Sequence, residues 1–393
     1  MDASPEEQRR NRANVILLGV VSFINDTSSK IIVPILPLFI AQLGGGGLAV
    51  GLISGLSDSA ASLAKLFAGY WSDRLGRRKP FVISGYALSA LAKLLLAISS
   101  TWPQVLALRV GERLGKGVRS APRDAILAAS TEKRSRGRGF GLHRAMDSGG
   151  ALLGTLAVLG LYWFLGLGFL QIFLIAGLLG FVSLFPLWFV QEKGDGKTPQ
   201  PPRLQLGALP KPLRRFMLIA FTYALANFSY MFFVLRTEGL FEDRLAVAVP
   251  LLLYALYQLS FTLFAIPAGI LSDRIGRRAV LLVGYGLFAL VCIGFVFANS
   301  LPSLLLLFLL YGVNYAFVDA TERTLVSDLA PETERGTALG AYHMTTSLAA
   351  LPAGLLAGLL WDLDPAYTFG AGALLSISAL AMLAGMLESD RPA

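Results

Sequence analysis

A run of charged side chains at helical spacing stands inside an otherwise apolar segment at positions 103–128. Its members are Arg109, Glu112, Arg113, Lys116, Arg119, Arg123 and Asp124. At about 100° per residue, all seven fall within an arc of about 140° on one helix, which predicts a single charged stripe. Such a stripe faces water or protein rather than lipid, so its basic members could bind an anionic ligand. The candidates for that contact are Arg109, Arg113, Lys116 and Arg119.

The stripe allows a second interpretation, in which its charges form an internal lattice of salt bridges. Acidic partners for such a lattice are available at Glu112, Asp26, Asp124 and Asp147. Both interpretations can hold together, because a polar cavity must neutralise the charges that its ligand does not use. Two further embedded lysines, Lys65 and Lys93, are expected to snorkel to the interface or to pair locally.

Carboxylates embedded in apolar segments of the first half are candidates for proton coupling. They are Glu112, Asp147, Asp26 and Asp58. Burial and a neighbouring arginine shift the pKa of such a group in opposite directions, and a proton-coupled carrier uses that competition. For Asp26, a buried pair with Lys30, four residues later on the same helix, is an open alternative.

Twelve membrane-spanning helices are predicted to position these residues. The chain is 55% hydrophobic and 15% charged, with a mean hydropathy of +0.63, which indicates a membrane protein. A helix of about 20 apolar residues crosses a bilayer, and long continuous apolar runs favour helices over barrel strands. The predicted spans cover residues 14–42, 48–71, 80–100, 103–128, 138–163, 167–190, 214–238, 246–271, 279–299, 301–329, 336–361 and 365–388.

A basic hairpin occurs twice in the chain. The segment GYWSDRLGRR at Gly69–Arg78 returns 200 positions later as GILSDRIGRR at Gly269–Arg278, in both cases between two apolar spans. The duplication predicts an all-α membrane protein built from two six-helix bundles. The predicted parts are an N-terminal tail at 1–13, a first bundle at 14–190, a proline-rich linker at 191–213, a second bundle at 214–388 and a C-terminal tail at 389–393.

The two halves differ at the charged stripe. Span ten places neutral residues at about the equivalent positions, namely Tyr311, Gly312, Tyr315 and Val318. The fold therefore does not require the charges, which favours a role in ligand binding. The carboxylates of spans one, two and five also have neutral repeat counterparts, so protonatable groups are predicted in the first half only. The remaining predicted ligand contacts are Asn25, Tyr223, Tyr257, Gln258, Asn314 and Tyr315.

Basic residues outside the spans are concentrated on one side of the predicted membrane. The opposite loops hold Arg244 alone. By the positive-inside rule, both termini and the linker at 191–213 are expected in the cytoplasm of a multi-pass protein of the cell inner membrane. This topology explains the formal charge of +9, and no nucleic-acid partner is predicted.

The chain resembles the major facilitator superfamily over nearly its whole length. The resemblance rests on the hairpin Gly69-x-x-Ser72-Asp73-Arg74-x-Gly76-Arg77-Arg78 and its second copy, and more loosely on Gly150-Ala151-Leu152-Leu153-Gly154-Thr155, which is similar to that family's antiporter motif. It implies alternating access in a prokaryotic member, with the hairpins in a conformational gate. The expected gate residues are Gly69, Asp73, Arg74, Gly76, Arg77, Asp273, Arg274, Gly276, Arg277, Arg123 and Arg144, with Asp319, Glu322 and Arg323 as further candidates for an inner gate.

These features predict a secondary active transporter of a small organic molecule that is anionic or has a polar headgroup. Proton-coupled efflux is the first expectation. Proton symport that imports an anionic nutrient or chelate is an alternative, and a non-transporting receptor or assembly factor with the same fold is another.

The expected partners are the cargo, protons and the lipid bilayer, and a monomer is expected. No enzymatic activity, cofactor or metal is predicted. Gly111-Glu112-Arg113-Leu114-Gly115-Lys116-Gly117 resembles a phosphate loop, but the Ser or Thr after the lysine is missing and the segment lies in a span.

Overall fold

The computed structural model describes residues 5–131, 136–192, 210–331 and 335–389. Most of the predicted linker, at 193–209, lies outside the described residues. So do the beginning of the N-terminal tail, at 1–4, and the C-terminal tail after residue 389.

The described residues form helices joined by short connections, without a β-strand. The helices are α1 Pro5–Ile32, α2 Leu36–Gln42, α3 Gly47–Leu75, α4 Lys79–Leu96, α5 Trp102–Ala129, α6 Arg136–Trp163, α7 Phe169–Val182, α8 Lys211–Ala226, α9 Tyr230–Glu238, α10 Leu245–Ile275, α11 Arg277–Phe297, α12 Leu301–Leu329, α13 Arg335–Leu363 and α14 Pro365–Ser389. A 3-10 turn at Phe185–Phe189 follows α7.

The predicted twelve spans correspond to these elements. The first span consists of α1 and α2, the sixth of α7 and the 3-10 turn, and the seventh of α8 and α9. Among the described residues, eleven segments are long and apolar enough to cross a membrane. Helix α5 has 28 residues and is excluded from the eleven by its charges. The all-helical membrane fold predicted from the sequence is confirmed.

The first and seventh spans are both interrupted. Helix α1 ends at Ile32, just before Pro34, whose ring disfavours a helical conformation in the preceding residue. In the seventh span, α8 ends at Ala226 and α9 begins after Ser229, whose hydroxyl accepts a hydrogen bond from the Met231 N–H at 3.3 Å. Each half of the chain therefore has a broken first helix.

One compact unit comprises residues 1–39 and 57–201. Within it, α1 packs on α6 and α7, and α4 packs on α5 and α7. Two glycines of α5 allow close helix approach. A Cβ on Gly115 would lie 2.6 Å from the Ser89 hydroxyl of α4, and a Cβ on Gly117 would collide with the Ala61 carbonyl of α3. These contacts fix the rotation of α5 and hence the direction of its stripe.

The second compact unit comprises residues 202–393 together with 40–56. Within it, α12 packs on α10 and α11, and α8 packs on α13 and α14. The segment 40–56, which precedes the linker in sequence, packs with this unit. There the Asp362 carboxylate of α13 accepts hydrogen bonds from the backbone N–H groups of Gly47, at 2.6 Å, and Leu48, at 3.0 Å. An acidic group at this position stabilises the N-terminus of α3.

Candidate functional site

A buried ion pair forms the end of the stripe that the predicted topology places toward the extracellular side. Arg109 and Glu112, both on α5, are almost completely buried, and their side chains meet at 2.5 Å. The Arg109 Nη2 atom is buried without a hydrogen-bond partner in the part of the chain that the structure describes. These two residues therefore fit the internal lattice better than an open binding surface. The carboxylate of Glu112, a candidate for proton coupling, is thus ion-paired with an arginine.

Arg119 and Arg123 are also held by neighbouring helices. Arg119 is buried, donates to the Ser89 hydroxyl at 2.6 Å, and places its guanidinium 4.3 Å from the ring centroid of Tyr86. Arg123 donates to the Ser22 hydroxyl at 3.2 Å and pairs with Asp124 at 2.9 Å. Cation–π contact and hydrogen bonds stabilise both charges.

Arg113 and Asp58 form a pair nearer the surface of the same unit. The Arg113 Nη2 lies 3.6 Å from an Asp58 oxygen on α3, and the Asp58 side chain is 57% exposed. A pair with an exposed partner is weak and easily rearranged. Arg113 can therefore exchange this carboxylate for a carboxylate on a ligand.

Lys116 differs from the other basic residues of the stripe. It is exposed, although it lies in the middle of α5. Its ammonium group makes no hydrogen bond or ion pair within the described ranges. A charged side chain at this depth must face water, a ligand or an opposite charge. Because Lys116 is exposed and has no bonded partner in the described part of the chain, it is the stripe residue most available for cargo.

A pair of carboxyl groups lies beside Lys116. The carboxyl groups of Asp26 of α1 and Asp147 of α6 lie near each other. The Lys116 ammonium is close enough to Asp26 to interact with its charge. The Asn25 amide donates to Asp26 at 3.2 Å, and Arg144 donates to Asp147 at 3.3 Å. Two carboxyl groups in this arrangement form a hydrogen bond only when one of them carries a proton.

A fully buried lysine lies behind this site. Lys93 of α4 is 0% exposed, and its ammonium donates to three neutral acceptors on α1: Asn25 at 3.2 Å, Ser28 at 2.8 Å and Ser29 at 3.3 Å. It does not snorkel; it is paired locally. The predicted ligand contact Asn25 is itself buried and engaged by Lys93 and Asp26.

The predicted aromatic contacts form a cluster in the second unit. Tyr223 and Asn314 are buried and share hydrogen-bond contacts, and the Asn314 amide also donates to the Gly284 carbonyl at 2.8 Å. Tyr257 stacks on Tyr311 with 4.8 Å between ring centroids. The two remaining candidates, Gln258 and Tyr315, are only half-buried and thus the most accessible of the five.

One buried carboxyl in the second unit was not predicted as a proton site. Glu322 of α12 is 4% exposed and accepts hydrogen bonds from Tyr285 and Tyr342. The structure thus places a buried carboxyl group in the second half as well, in addition to those predicted in the first half. A signal was present in the sequence, because Glu322 lies in an apolar span one residue before Arg323, whose side chain pairs with Asp319 instead.

The two predicted gate hairpins share a backbone conformation but differ in their ion pairs. Gly76 and Gly276 both have positive φ values, 63° and 93°, which favour glycine. In the first copy Asp73 pairs with Arg78 at 3.0 Å. In the second copy Arg277 pairs with Asp273 and also with Asp328 of α12 at 3.3 Å.

Other gate candidates have separate surroundings. Gly69 packs beside Ala121 of α5, and the Arg74 guanidinium lies 5.8 Å from the Trp71 ring centroid. Arg77 and Arg274 are exposed. Within the described ranges, no three His, Cys, Asp or Glu side chains are grouped so that they could hold a metal ion.

Comparison with known proteins identifies the family. The Major Facilitator Superfamily model matches residues 18–251 and 242–393. An uncharacterized MFS-type transporter of Methanocaldococcus jannaschii is 43% identical over 386 residues, which are 97% of this chain and 96% of that protein. The multidrug resistance protein MdtH of Aeromonas hydrophila is 27% identical over 369 residues, 90% of this chain and 89% of that protein.

A solved structure shows the same fold. The nucleoside transporter NupG is similar with a TM-score of 0.79 and 14% sequence identity, over 97% of this chain and 100% of that one. The proteins matched are transporters rather than enzymes. The duplicated hairpin, the all-helical membrane fold and the match along the whole chain lead to one conclusion: this chain is a membrane transporter that belongs to the Major Facilitator Superfamily.

Proposed function

We propose that this transporter moves a small organic anion together with a proton. The anion binds at Lys116, with Arg113 as a second cationic contact, and the proton is held by the Asp26–Asp147 pair. One observation carries the proposal: an exposed ammonium group without a bonded partner in the described residues lies near two neighbouring carboxyl groups.

Electrostatics links the two ligands. Without a proton, the carboxyl pair carries two negative charges and competes with an anionic cargo for the field of Lys116. Adding one proton removes one negative charge. For unit charges about 8 Å apart at an effective dielectric constant of about 20, the repulsion between the carboxyl pair and the anion falls by about 2 kcal/mol. Proton and anion therefore reinforce each other's binding, which is the requirement for symport.

Alternating access then exposes the loaded site first to one side of the membrane and then to the other. We propose that the two hairpins take part in this change, because Asp73–Arg78 and Asp273–Arg277 are exposed or half-exposed pairs that can break at low cost. The direction of net transport follows the proton gradient, so symport brings the anion into the cell.

Proton-coupled export is the second candidate. It is favoured by the name of the Aeromonas relative, a multidrug resistance protein. An exporter that exchanges cargo for protons needs the two ligands to compete, so that each leaves when the other binds. This opposite sign of coupling separates the two candidates experimentally.

The test is a thermal-unfolding screen of purified protein in detergent with small anions of fixed charge, such as sulfonates, at acidic and mildly alkaline pH. A ligand that binds only the folded state stabilises it by about 2.7 kcal/mol at 100 times its Kd. We expect stabilisation to grow as pH falls, and Asp26→Asn to weaken that pH dependence. Growth with rising pH would instead support exchange and export.

Lys116→Gln should abolish stabilisation by these anions. Lys65→Gln is the matched control, because Lys65 is an exposed lysine on α3 of the same unit and outside the proposed site. Equal stabilisation of both variants would show that the anion binds elsewhere. Binding without flux in reconstituted vesicles would favour the receptor alternative.

A further inference from the structure

The carboxyl group of Glu322 connects three helices of the second unit. Its Oε1 atom accepts a hydrogen bond from the Tyr285 hydroxyl of α11 at 2.6 Å, and its Oε2 atom accepts one from the Tyr342 hydroxyl of α13 at 2.5 Å. Both distances are short, as is typical of hydrogen bonds to a carboxylate. Each oxygen therefore holds one neighbouring helix against α12.

No cation neutralises this carboxyl group directly among the described residues. Arg323, the next residue on α12, is turned to Asp319, with its Nε donating to the Asp319 carbonyl at 2.9 Å and its guanidinium pairing with the carboxylate. On α13, His343 follows Tyr342, and the two rings lie 5.2 Å apart. Asp319, Arg323 and the two tyrosines are the titratable and charged neighbours of Glu322 on the three helices, and Tyr223 of α8 lies behind the Tyr285 ring.

Protonation must change this arrangement. An ionised carboxylate only accepts hydrogen bonds, so it can accept from both tyrosines at once. A protonated carboxyl has an O–H that must itself donate. One tyrosine must then turn its hydroxyl to accept that proton or find another partner. Gain of a proton from water thus reverses or breaks one of the two hydrogen bonds that join these helices.

We infer that Glu322 is a second proton-binding site of this transporter, located in the second unit, and that its occupancy switches the contacts of α12 with α11 and α13. For its part in transport the inference rests on the proposed proton coupling. Proton binding at Glu322 can be tested on the resting protein without cargo, so the two proposals can fail separately.

A chain of contacts leads from Glu322 to the aromatic cluster. The Tyr285 ring stacks on the Tyr223 ring at 4.1 Å between centroids. The Tyr223 hydroxyl contacts Asn314, and Asn314 donates to the carbonyl of Gly284, the residue before Tyr285. A change in the Tyr285 hydrogen bond therefore reaches residues predicted to contact cargo. This path gives the second proton site a physical means of affecting ligand binding.

Infrared spectroscopy of the purified full-length protein over a pH series tests the inference. A buried protonated carboxyl gives a C=O band apart from that of an ionised carboxylate. We expect one such band to appear as pH falls in the wild-type protein and to be absent in Glu322→Gln. Asp319→Asn is the matched control, because Asp319 lies one turn earlier on α12 and is paired with Arg323; this variant should keep the band.

Hydrogen–deuterium exchange tests the switch itself. The protection factor of the α13 segment around Tyr342, which is exchange corrected for the intrinsic pH dependence of amide exchange, should change with pH in the wild-type protein and in Asp319→Asn, and should be independent of pH in Glu322→Gln. If Glu322→Gln does not fold, Tyr342→Phe takes its place. It leaves the carboxyl intact, removes one donor, and should shift the midpoint at which the band appears.

Three results would overturn the inference. The first is a set of carboxyl bands that is the same in Glu322→Gln and wild type. The second is a Glu322 band that does not change with pH, and the third is an unmoved midpoint in Tyr342→Phe. None of these results bears on anion binding at Lys116, which is measured by thermal unfolding.

Discussion

Helices α5 and α12 occupy equivalent places in the two halves of the sequence and stabilise their units in different ways. Around Glu112, α5 carries a buried ion pair and hydrogen bonds to α4. Around Tyr311, α12 carries stacked rings, with Phe233 at 4.4 Å and Tyr257 at 4.8 Å between centroids. Since aromatic packing suffices in one half, the charges of α5 are not a requirement of the fold. We propose that Arg113 and Lys116 serve ligand binding instead.

The largest expected effect comes from breaking the buried pair of α5. Glu112→Ala leaves Arg109 buried without its carboxylate, and loss of one partner from such a pair costs about 3–5 kcal/mol. We expect a decrease of this size in the free energy of unfolding, measured by equilibrium unfolding in mixed detergent. A decrease below about 1 kcal/mol, as for exposed pairs, would show that water reaches Arg109.

The double variant Arg109→Leu with Glu112→Leu sharpens the comparison. Replacing a buried ion pair by apolar residues is often neutral or stabilising. The double variant should therefore recover most of the stability lost in Glu112→Ala, as the neutral residues of α12 suggest. If it does not, the charges of α5 are needed for folding after all.

An intermediate effect is expected in the second unit. Asn314→Ala removes the amide that donates to the Gly284 carbonyl and contacts the Tyr223 hydroxyl, leaving both groups buried. The expected cost is about 1–3 kcal/mol in the same unfolding measurement. The control Gln258→Ala changes a half-buried residue on α10 and should stay within about 0.5 kcal/mol. Equal, small effects would mean that Asn314 is available to cargo.

The smallest effect on stability concerns the two hairpins. Asp73→Asn and Asp273→Asn each remove a surface ion pair, and the free energy of unfolding should fall by only about 0.2–1 kcal/mol. Flux of a stabilising anion into reconstituted vesicles should nevertheless be slower in both. Asp273 shares Arg277 with Asp328, so its loss should be the milder of the two. Unchanged flux in both variants would remove the hairpins from the proposed gate.

Most of the fold could be predicted from the sequence, because long apolar runs bounded by proline, glycine and charge define membrane helices locally. The predicted start of α12, at residue 301, agrees with the structure, and that of α5 differs by one residue. The breaks after Ile32 and Ala226 were not predicted. Pro34 is a sequence feature that predicts the first break, whereas the polar Asn227 does not by itself predict the second.

The candidate site was only partly predictable. Helical spacing places Arg109, Lys116 and Arg119 on one face, but their burial depends on distant residues such as Ser89 of α4. The Glu322 contacts likewise join residues 37 and 20 positions apart. Spacing along one helix contains no information on such partners. Which charges are covered is decided by packing between helices.

The charged stripe also has a consequence for how the chain enters the membrane during synthesis. Helix α5 is the span that composition alone does not mark as membrane-crossing, and each central charge costs about 2.5–3.5 kcal/mol on insertion scales. Helix α4, joined to it by the short loop 97–101, holds the partners Ser89 and Tyr86. We therefore expect helix α4 to remain beside the translocation channel until α5 emerges, so that the two helices enter the lipid together as a hairpin.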